Sequence, residues 1–165
     1  MGVAGCGKSA LGQRIATEMN LTLVEGDDFH PAGNTEKMQR GIALLDEDRA
    51  EWLELLGAQL EQHRSGMVLT CSALKASYRN SLRQAAARAG MRLYFVHLAI
   101  SPAESLRRVA GRKGHFYPPS LVASQFETLQ DPSGEPGVLV LPGDHGLEEL
   151  AKAAAAWLFK EAAKQ

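Results

Sequence analysis

Gly2-Val3-Ala4-Gly5-Cys6-Gly7-Lys8-Ser9 fits the spacing G-x-x-x-x-G-K-[ST], a pattern suited to holding phosphate. Glycine tolerates the backbone angles that turn several N–H groups toward one anion. A helix predicted to start at about Lys8 adds the partial positive charge of its unpaired amides. In such a loop the Lys8 ammonium reaches the β- and γ-phosphates, and the Ser9 hydroxyl ligates Mg²⁺. The pattern predicts a nucleoside triphosphate site built from Gly2, Gly5, Cys6, Gly7, Lys8, Ser9 and Ala10. An acidic stretch, Glu25-Gly26-Asp27-Asp28-Phe29-His30-Pro31, follows a short apolar run at 21–24. Carboxyl ends of parallel strands border the ligand crevice of open α/β sheets, which places Glu25 and Asp27 near the phosphates. A solvated acidic turn is the plainer alternative.

Positioning these groups takes alternating strands and helices. Leu11, Ile15 and Met19 recur at helical spacing and predict a helix over 8–19, stopped at Asn20. Apolar runs at 21–24, 67–71, 93–99 and 138–141 predict four buried strands. Helices are predicted at 34–40, at 46–64 with Asp46 as N-cap, over 76–90, at 101–111, at 122–129 and at 147–159. Ser101-Pro102-Ala103-Glu104 is a strong start for the fourth of the downstream helices. His97, inside a strand, reads as a structural residue with a satisfied hydrogen bond. Strands alternating with helices predict a parallel sheet with right-handed crossovers. A phosphate loop normally follows a buried strand, yet only Met1 stands before Gly2. Losing a central strand would leave two neighbours with unpaired ladders. The expectation is therefore that about ten to fifteen residues, one strand and its lead-in, belong upstream.

At 165 residues the chain is expected to form one domain, 1–165. A net charge of −1 gives no electrostatic reason for a nucleic-acid or membrane partner. No apolar run is long enough to span a bilayer, and no signal peptide is visible. Cys6 and Cys71 lack metal-ligand spacing and read as reduced cytoplasmic thiols. Arg112-Lys113-Gly114-His115-Phe116-Tyr117-Pro118-Pro119 is basic and proline-ended, and beside a phosphate loop it predicts a closing lid at about 112–120. The runs at 67–71 and 93–100 lead into no acid of the kind motor ATPases and GTPases use, and no Asn-Lys-x-Asp signature is present. A compact domain with a basic lid and acids beside the loop is the build of a small-molecule kinase, which must exclude water during phosphoryl transfer.

Several further groups strengthen that reading: Glu25-Gly26-Asp27-x-x-His30-Pro31, Asn34-x-x-Lys37-Met38, Asp46-x-Asp48-Arg49-x-x-Trp52-Leu53, Cys71-Ser72-Ala73-Leu74-Lys75-x-x-Tyr78-Arg79, Arg112-Lys113-Gly114-His115-Phe116 and Gln125-Phe126-Glu127-x-Leu129-Gln130. With the phosphate loop, this set resembles the P-loop gluconokinases over most of the chain, from Gly2 to about Pro132. Ala43 departs from the proline usual there, and the first strand is absent. The resemblance implies a three-layer α/β P-loop NTPase fold with a parallel sheet, like nucleoside monophosphate kinases and shikimate kinase. It implies ATP-dependent phosphorylation of D-gluconate at its 6-hydroxyl to give 6-phosphogluconate and ADP, with Mg²⁺, and a homodimer. On that reading Lys8 holds the β/γ-phosphates, Ser9 binds Mg²⁺, and Glu25 holds a metal-bound water. Asp27 orients the 6-hydroxyl and accepts its proton late. Arg49 is the first choice for the substrate carboxylate, with Lys75 and Arg79 next; Lys37 and His30 complete the substrate set. Arg112 and Lys113 close on the phosphoryl group, and Arg108 contacts the nucleotide. The rival readings are a shikimate or nucleoside monophosphate kinase of the same build, and a non-catalytic nucleotide-binding protein.

Overall fold

A computed structural model describes residues 1–111 and 117–164. The predicted lid therefore lies outside the described residues from Arg112 to Phe116, Lys113 included; its end, from Tyr117, is described.

Helix α1, Lys8–Met19, begins directly after Gly7 and stops where Asn20 turns left-handed at φ 52°. Leu11 and Ile15 are buried beneath it, and Gly12 lets it approach the sheet: a Cβ there would stand 2.6 Å from Thr70 Cγ2. Strand β1, Thr22–Glu25, leads into a 3₁₀ turn at Gly26–Phe29 and then α2, Ala32–Gln39. Helix α3, Asp46–Gln62, is capped one residue earlier than expected. The Asp48 carboxylate accepts the Leu45 N–H at 2.9 Å, so Leu45 is the cap and Asp46 the first helical residue. Strand β2, Met67–Thr70, precedes α4, Ala76–Arg88, and strand β3, Phe95–Ala99, precedes α5, Pro102–Gly111. The predicted cap at Ser101 is present, its Oγ accepting Glu104 N–H at 3.2 Å. Helix α6, Val122–Thr128, strand β4, Val138–Pro142, and α7, Leu147–Ala162, complete the chain.

All four strands pair in parallel, but in two separate ladders. Thr22 to Glu25 stand opposite Met67 to Thr70, and Phe95 to Ala99 opposite Val138 to Pro142. No ladder joins β2 to β3. Helices cover both faces, giving three layers. Leu11 and Ile15 of α1 pack with Leu98, Leu141 and Ala151 on one side. Trp52, Leu56 and Leu60 of α3 pack with Leu82, Ala85 and Phe95 on the other.

His97, on β3, is 4% exposed, but its Nδ1 has no hydrogen-bond partner among the described residues. The expected structural histidine is thus satisfied at most in part: its ring meets the Met1 backbone, and Nδ1 is left over. Burial, with the nearby Met1 amine, pushes its pKa down to about 4 from 6.5. The folded protein keeps this imidazole neutral while the unfolded chain protonates it below pH 6.5, so stability falls as pH drops from 6.5 toward 4. The expected loss is on the order of 2 kcal/mol. The buried Met1 amine acts with the same sign from pH 8 downward. His97→Gln should flatten the pH dependence of Tm between 6.5 and 4 while leaving the part above 7 in place; a thermal melt series checks both.

Candidate active site

The phosphate loop is held from three directions. Lys8 Nζ donates to Val3 O at 3.0 Å, so the ammonium lies back across the loop. Ser105 Oγ, fully buried on α5, donates to Ala4 O at 2.8 Å. Gln125 Oε1 on α6 accepts Ala4 N–H at 2.6 Å. Gly5, at φ 75°, has no space for a side chain: a Cβ would meet Ser105 O at 3.1 Å and Val109 Cγ2 at 3.2 Å. The loop's curl thus depends on glycine and is fixed by α5 and α6.

In front of the loop lies a cavity lined by Gly5, Gly7, Lys8, Ser9, Asp27, His30 and Arg49, all of them predicted site residues. Ala4, Met38, Ala43, Leu44, Ser72, Tyr117, Leu121, Ser124 and Gln125 complete much of the wall. Glu25 ends β1 beside Ser9. Its Oε2 accepts from Ser9 Oγ at 3.0 Å and from Thr70 Oγ1 at the end of β2. These are hard oxygen ligands, one hydroxyl and one carboxylate, which suits Mg²⁺, an ion that keeps several of its waters. No cluster of three or more acidic, cysteine or histidine groups exists among the described residues, so the chain offers no dedicated all-protein metal cage there.

Asp27 projects from the 3₁₀ turn just past β1 and is exposed to the cavity. His30 stacks on Trp52, rings 4.6 Å apart and 11° from parallel, and Trp52 Nε1 donates to Gly26 O at 2.8 Å. Buried Trp52 therefore fixes both ends of the turn that carries Asp27. Burial lowers the His30 pKa, opposed by Asp27 and assisted by Arg49. Its Nδ1 is buried and has no partner among the described residues, while the residue itself lines the cavity. Arg49 Nη1 donates to Leu44 O at 2.8 Å and Tyr78 Oη at 3.3 Å. That leaves Nε and Nη2 without an acceptor among the described residues.

Other predicted residues lie elsewhere. Gly2 and Cys6 are buried beneath the loop, and Ala10 sits exposed on the first turn of α1. Arg108 is behind the loop, donating to Gly5 O at 3.4 Å, Gly143 O at 2.9 Å and the Glu104 carboxylate. Lys75 is spent on Asp46, at 2.7 Å, and Lys37 on Asp48, at 2.5 Å; neither lines the cavity. Those contacts hold the Asp46 and Asp48 carboxyls below their usual range. Arg112 lies outside the described residues.

Arg79 is a correction. It is 0% exposed and does not line the cavity. Nε and Nη2 grip Glu135, Nη1 donates to Ala73 O at 2.9 Å and Leu74 O at 3.0 Å, and Nη2 to Gln130 O at 3.2 Å. A guanidinium so occupied clamps the loop after β2 to the segment before β4 and has no donor left for substrate. Arg79→Met should cost about 3 kcal/mol by stranding three carbonyls and leaving Glu135 to Arg83 alone, 2.8 Å away. Below its lowered Tm the variant should keep the parent KM for the acceptor; a large rise in KM with Tm unchanged would restore Arg79 to the substrate set.

Three contributors were missed from the sequence. Thr70 reads as filler in an apolar run, Ser105 as an ordinary helix residue, and Gln125 contacts a loop 121 positions away. Only Gln125 stood inside a quoted motif.

Residues 1–134 match the family model described as "AAA domain". A gluconokinase of Gluconobacter oxydans is 43% identical over 159 residues, covering 92% of this chain and 87% of that protein. The chain belongs to the gluconokinase family. The thermoresistant gluconokinase of Escherichia coli is 40% identical over 152 residues, covering 90% of this chain and 85% of its own. The crystal structure of a gluconokinase from Sinorhizobium meliloti superposes with a TM-score of 0.85 at 41% identity, covering 98% of this chain and 90% of that one. The gluconokinase family match and this superposition agree with the α/β P-loop kinase fold and parallel strands described above.

Proposed function

We propose that this gluconokinase-family protein transfers the γ-phosphoryl group of ATP to the 6-hydroxyl of D-gluconate, giving 6-phosphogluconate and ADP. The observation that carries the reading is one cavity lined by Lys8, Asp27 and Arg49 together. A phosphate-binding lysine, a carboxylate for an alcohol and a guanidinium for an acid are the three groups a sugar-acid kinase needs.

Phosphoryl transfer passes through a loose transition state, so positioning and charge neutralisation dominate. Lys8 and the loop amides hold the β- and γ-phosphates. Asp27 accepts a hydrogen bond from the 6-hydroxyl, aims its oxygen, and takes the proton as the new bond forms. Nε and Nη2 of Arg49 take the substrate carboxylate in two parallel bonds. His30 meets a sugar hydroxyl, and stacking on Trp52 keeps the ring in place. Mg²⁺, held by Ser9 Oγ with Glu25 acting through a water, would neutralise charge on the phosphate oxygens when bound. Thr70 and Ser9 both fix Glu25 Oε2, which leaves Oε1 to face that water. Arg108 supports the loop from behind on the nucleotide side, and Arg112 closes on the transferred group. Cys6 and Cys71 are buried and unpaired, and burial pushes the Cys71 thiol up to about 11. Such thiols fit a reducing cytoplasm.

The test is ADP release, read by a coupled assay, with gluconate, shikimate and a nucleoside monophosphate as acceptors. Turnover with gluconate at least a hundredfold above the others is expected. Equal or greater turnover with shikimate or the nucleotide would overturn the substrate assignment.

A further inference from the structure

Thr70 is the last residue of β2, and it is 5% exposed although it is polar. Parallel register sets it beside Glu25, the last residue of β1. Residues paired in register send their side chains to the same face of a sheet, here the face under α1. The Thr70 methyl packs where Gly12 leaves out a side chain: a Cβ there would stand 2.6 Å from Thr70 Cγ2 and 3.3 Å from Leu23 Cδ1. With the methyl seated against α1, the stiff β-branched side chain holds its hydroxyl on Glu25 Oε2.

Glu25 is fixed at its backbone and at one carboxylate oxygen. The next residue, Gly26, lies so close to β2 that a Cβ would stand 3.1 Å from Cys71 Cβ, and its carbonyl accepts from Trp52 Nε1 at 2.8 Å. On the side chain, Oε2 accepts from Ser9 Oγ at 3.0 Å as well as from Thr70 Oγ1. A carboxylate oxygen has two lone pairs, so two hydroxyl donors occupy Oε2 fully. Ser9 gives its proton to Oε2 and keeps its own lone pairs for a metal. Oε1 makes no hydrogen bond among the described residues, and it is the oxygen left for a metal's hydration shell.

We infer that Thr70 is a positioning residue that makes this site select Mg²⁺ over larger divalent cations. Mg²⁺ keeps several of its waters and is served by a carboxylate that offers one oxygen to a bound water. Ca²⁺ takes more oxygen ligands at longer distances and readily uses both oxygens of one carboxylate. The Thr70 hydroxyl withholds Oε2 from that two-oxygen mode. Without it, Glu25 loses the orientation that suits Mg²⁺ and regains the mode that suits Ca²⁺. The inference rests on the placing of Glu25 beside the metal in the proposed reaction, and not on gluconate as the acceptor.

Titration calorimetry with a non-hydrolysable ATP analogue gives Kd in Mg²⁺, in Ca²⁺ and in EDTA for the parent, Thr70→Val, Thr70→Ser and Glu25→Gln. Valine keeps the shape and removes the hydroxyl; serine keeps the hydroxyl and removes the methyl. In Thr70→Val the affinity gained from Mg²⁺ should fall about tenfold, as for other outer-shell partners of a metal ligand, while the gain from Ca²⁺ holds within about threefold or rises. Its Kd in EDTA should not move. Thr70→Ser should keep the parent's metal preference while its Tm drops by a few degrees. Equal weakening of Thr70→Val in all three media, or an unchanged ratio of the Mg²⁺ and Ca²⁺ gains, overturns the inference. Glu25→Gln separates the two levels of the argument. If it reduces neither gain, Glu25 stands away from the metal and the inference falls with that assignment. If it reduces the Mg²⁺ gain and Thr70→Val does not, the assignment of Glu25 stands and Thr70 alone is wrong. Should Thr70→Val fail to fold, Thr70→Ala, which lacks the same hydroxyl, is held to the same outcomes. No readout uses phosphoryl transfer, so failure here is separable from failure of the gluconate reading.

Discussion

Lys8→Ala is expected to lower kcat by about a thousandfold or more while leaving the fold intact. The fold should survive because, among the described residues, the ammonium makes a single hydrogen bond, to Val3 O, worth about 1 kcal/mol at a half-buried position. Tm should fall by no more than a few degrees. The chemistry should not survive, because charge on the transferring phosphoryl group moves toward the β–γ bridge in the transition state. A cation aimed there contributes several kcal/mol, on the order of 4 for a thousandfold effect. The loop amides and Ser9 remain, so nucleotide binding should weaken much less than turnover falls. Lys8→Met keeps the length of the side chain and should behave alike, which separates lost charge from lost shape. Steady-state kinetics with a nucleotide titration checks all of this. A kcat/KM within tenfold of the parent would mean that the loop serves binding alone.

Part of this site is legible in the sequence because local rules carry it. Gly7 and Asn20 bracket α1 as predicted, since both ends are set by residues that accept left-handed angles. Glu25 and Asp27 fall at the carboxyl end of β1, where strand order alone puts them. The carboxylate-binding cation was not legible at that level. Arg49, Lys75 and Arg79 are equivalent as sequence, and only tertiary contacts separate them. Asp46 takes Lys75, and Glu135, 56 positions away, takes Arg79. Arg49 alone keeps donors facing the cavity. Thr70 escaped for a similar reason: its hydroxyl matters only because β1 lies in register beside β2, bringing Glu25 opposite it.

Asp27→Asn tests the other half of the reaction and separates two roles for one carboxylate. The substitution keeps shape and one acceptor oxygen but removes the charge that orients and finally receives the hydroxyl proton. Proton acceptors of this kind contribute about 10²–10⁴ in rate, so kcat should fall by roughly a thousandfold. Nucleotide affinity should hold, because Asp27 stands on the 3₁₀ turn beyond β1 rather than on the phosphate loop. The gluconate KM should move less than about threefold, since an interaction made chiefly in the transition state lowers kcat and kcat/KM together. Asp28→Asn is the matched control. It removes the same charge one residue away, from an exposed side chain outside the cavity lining, and should leave kcat near the parent value. A rise in gluconate KM at constant kcat in Asp27→Asn would make the residue a substrate anchor instead. The proton would then leave to water or to a phosphate oxygen, as a loose transition state allows, because the alcohol stays protonated until late in such a transfer.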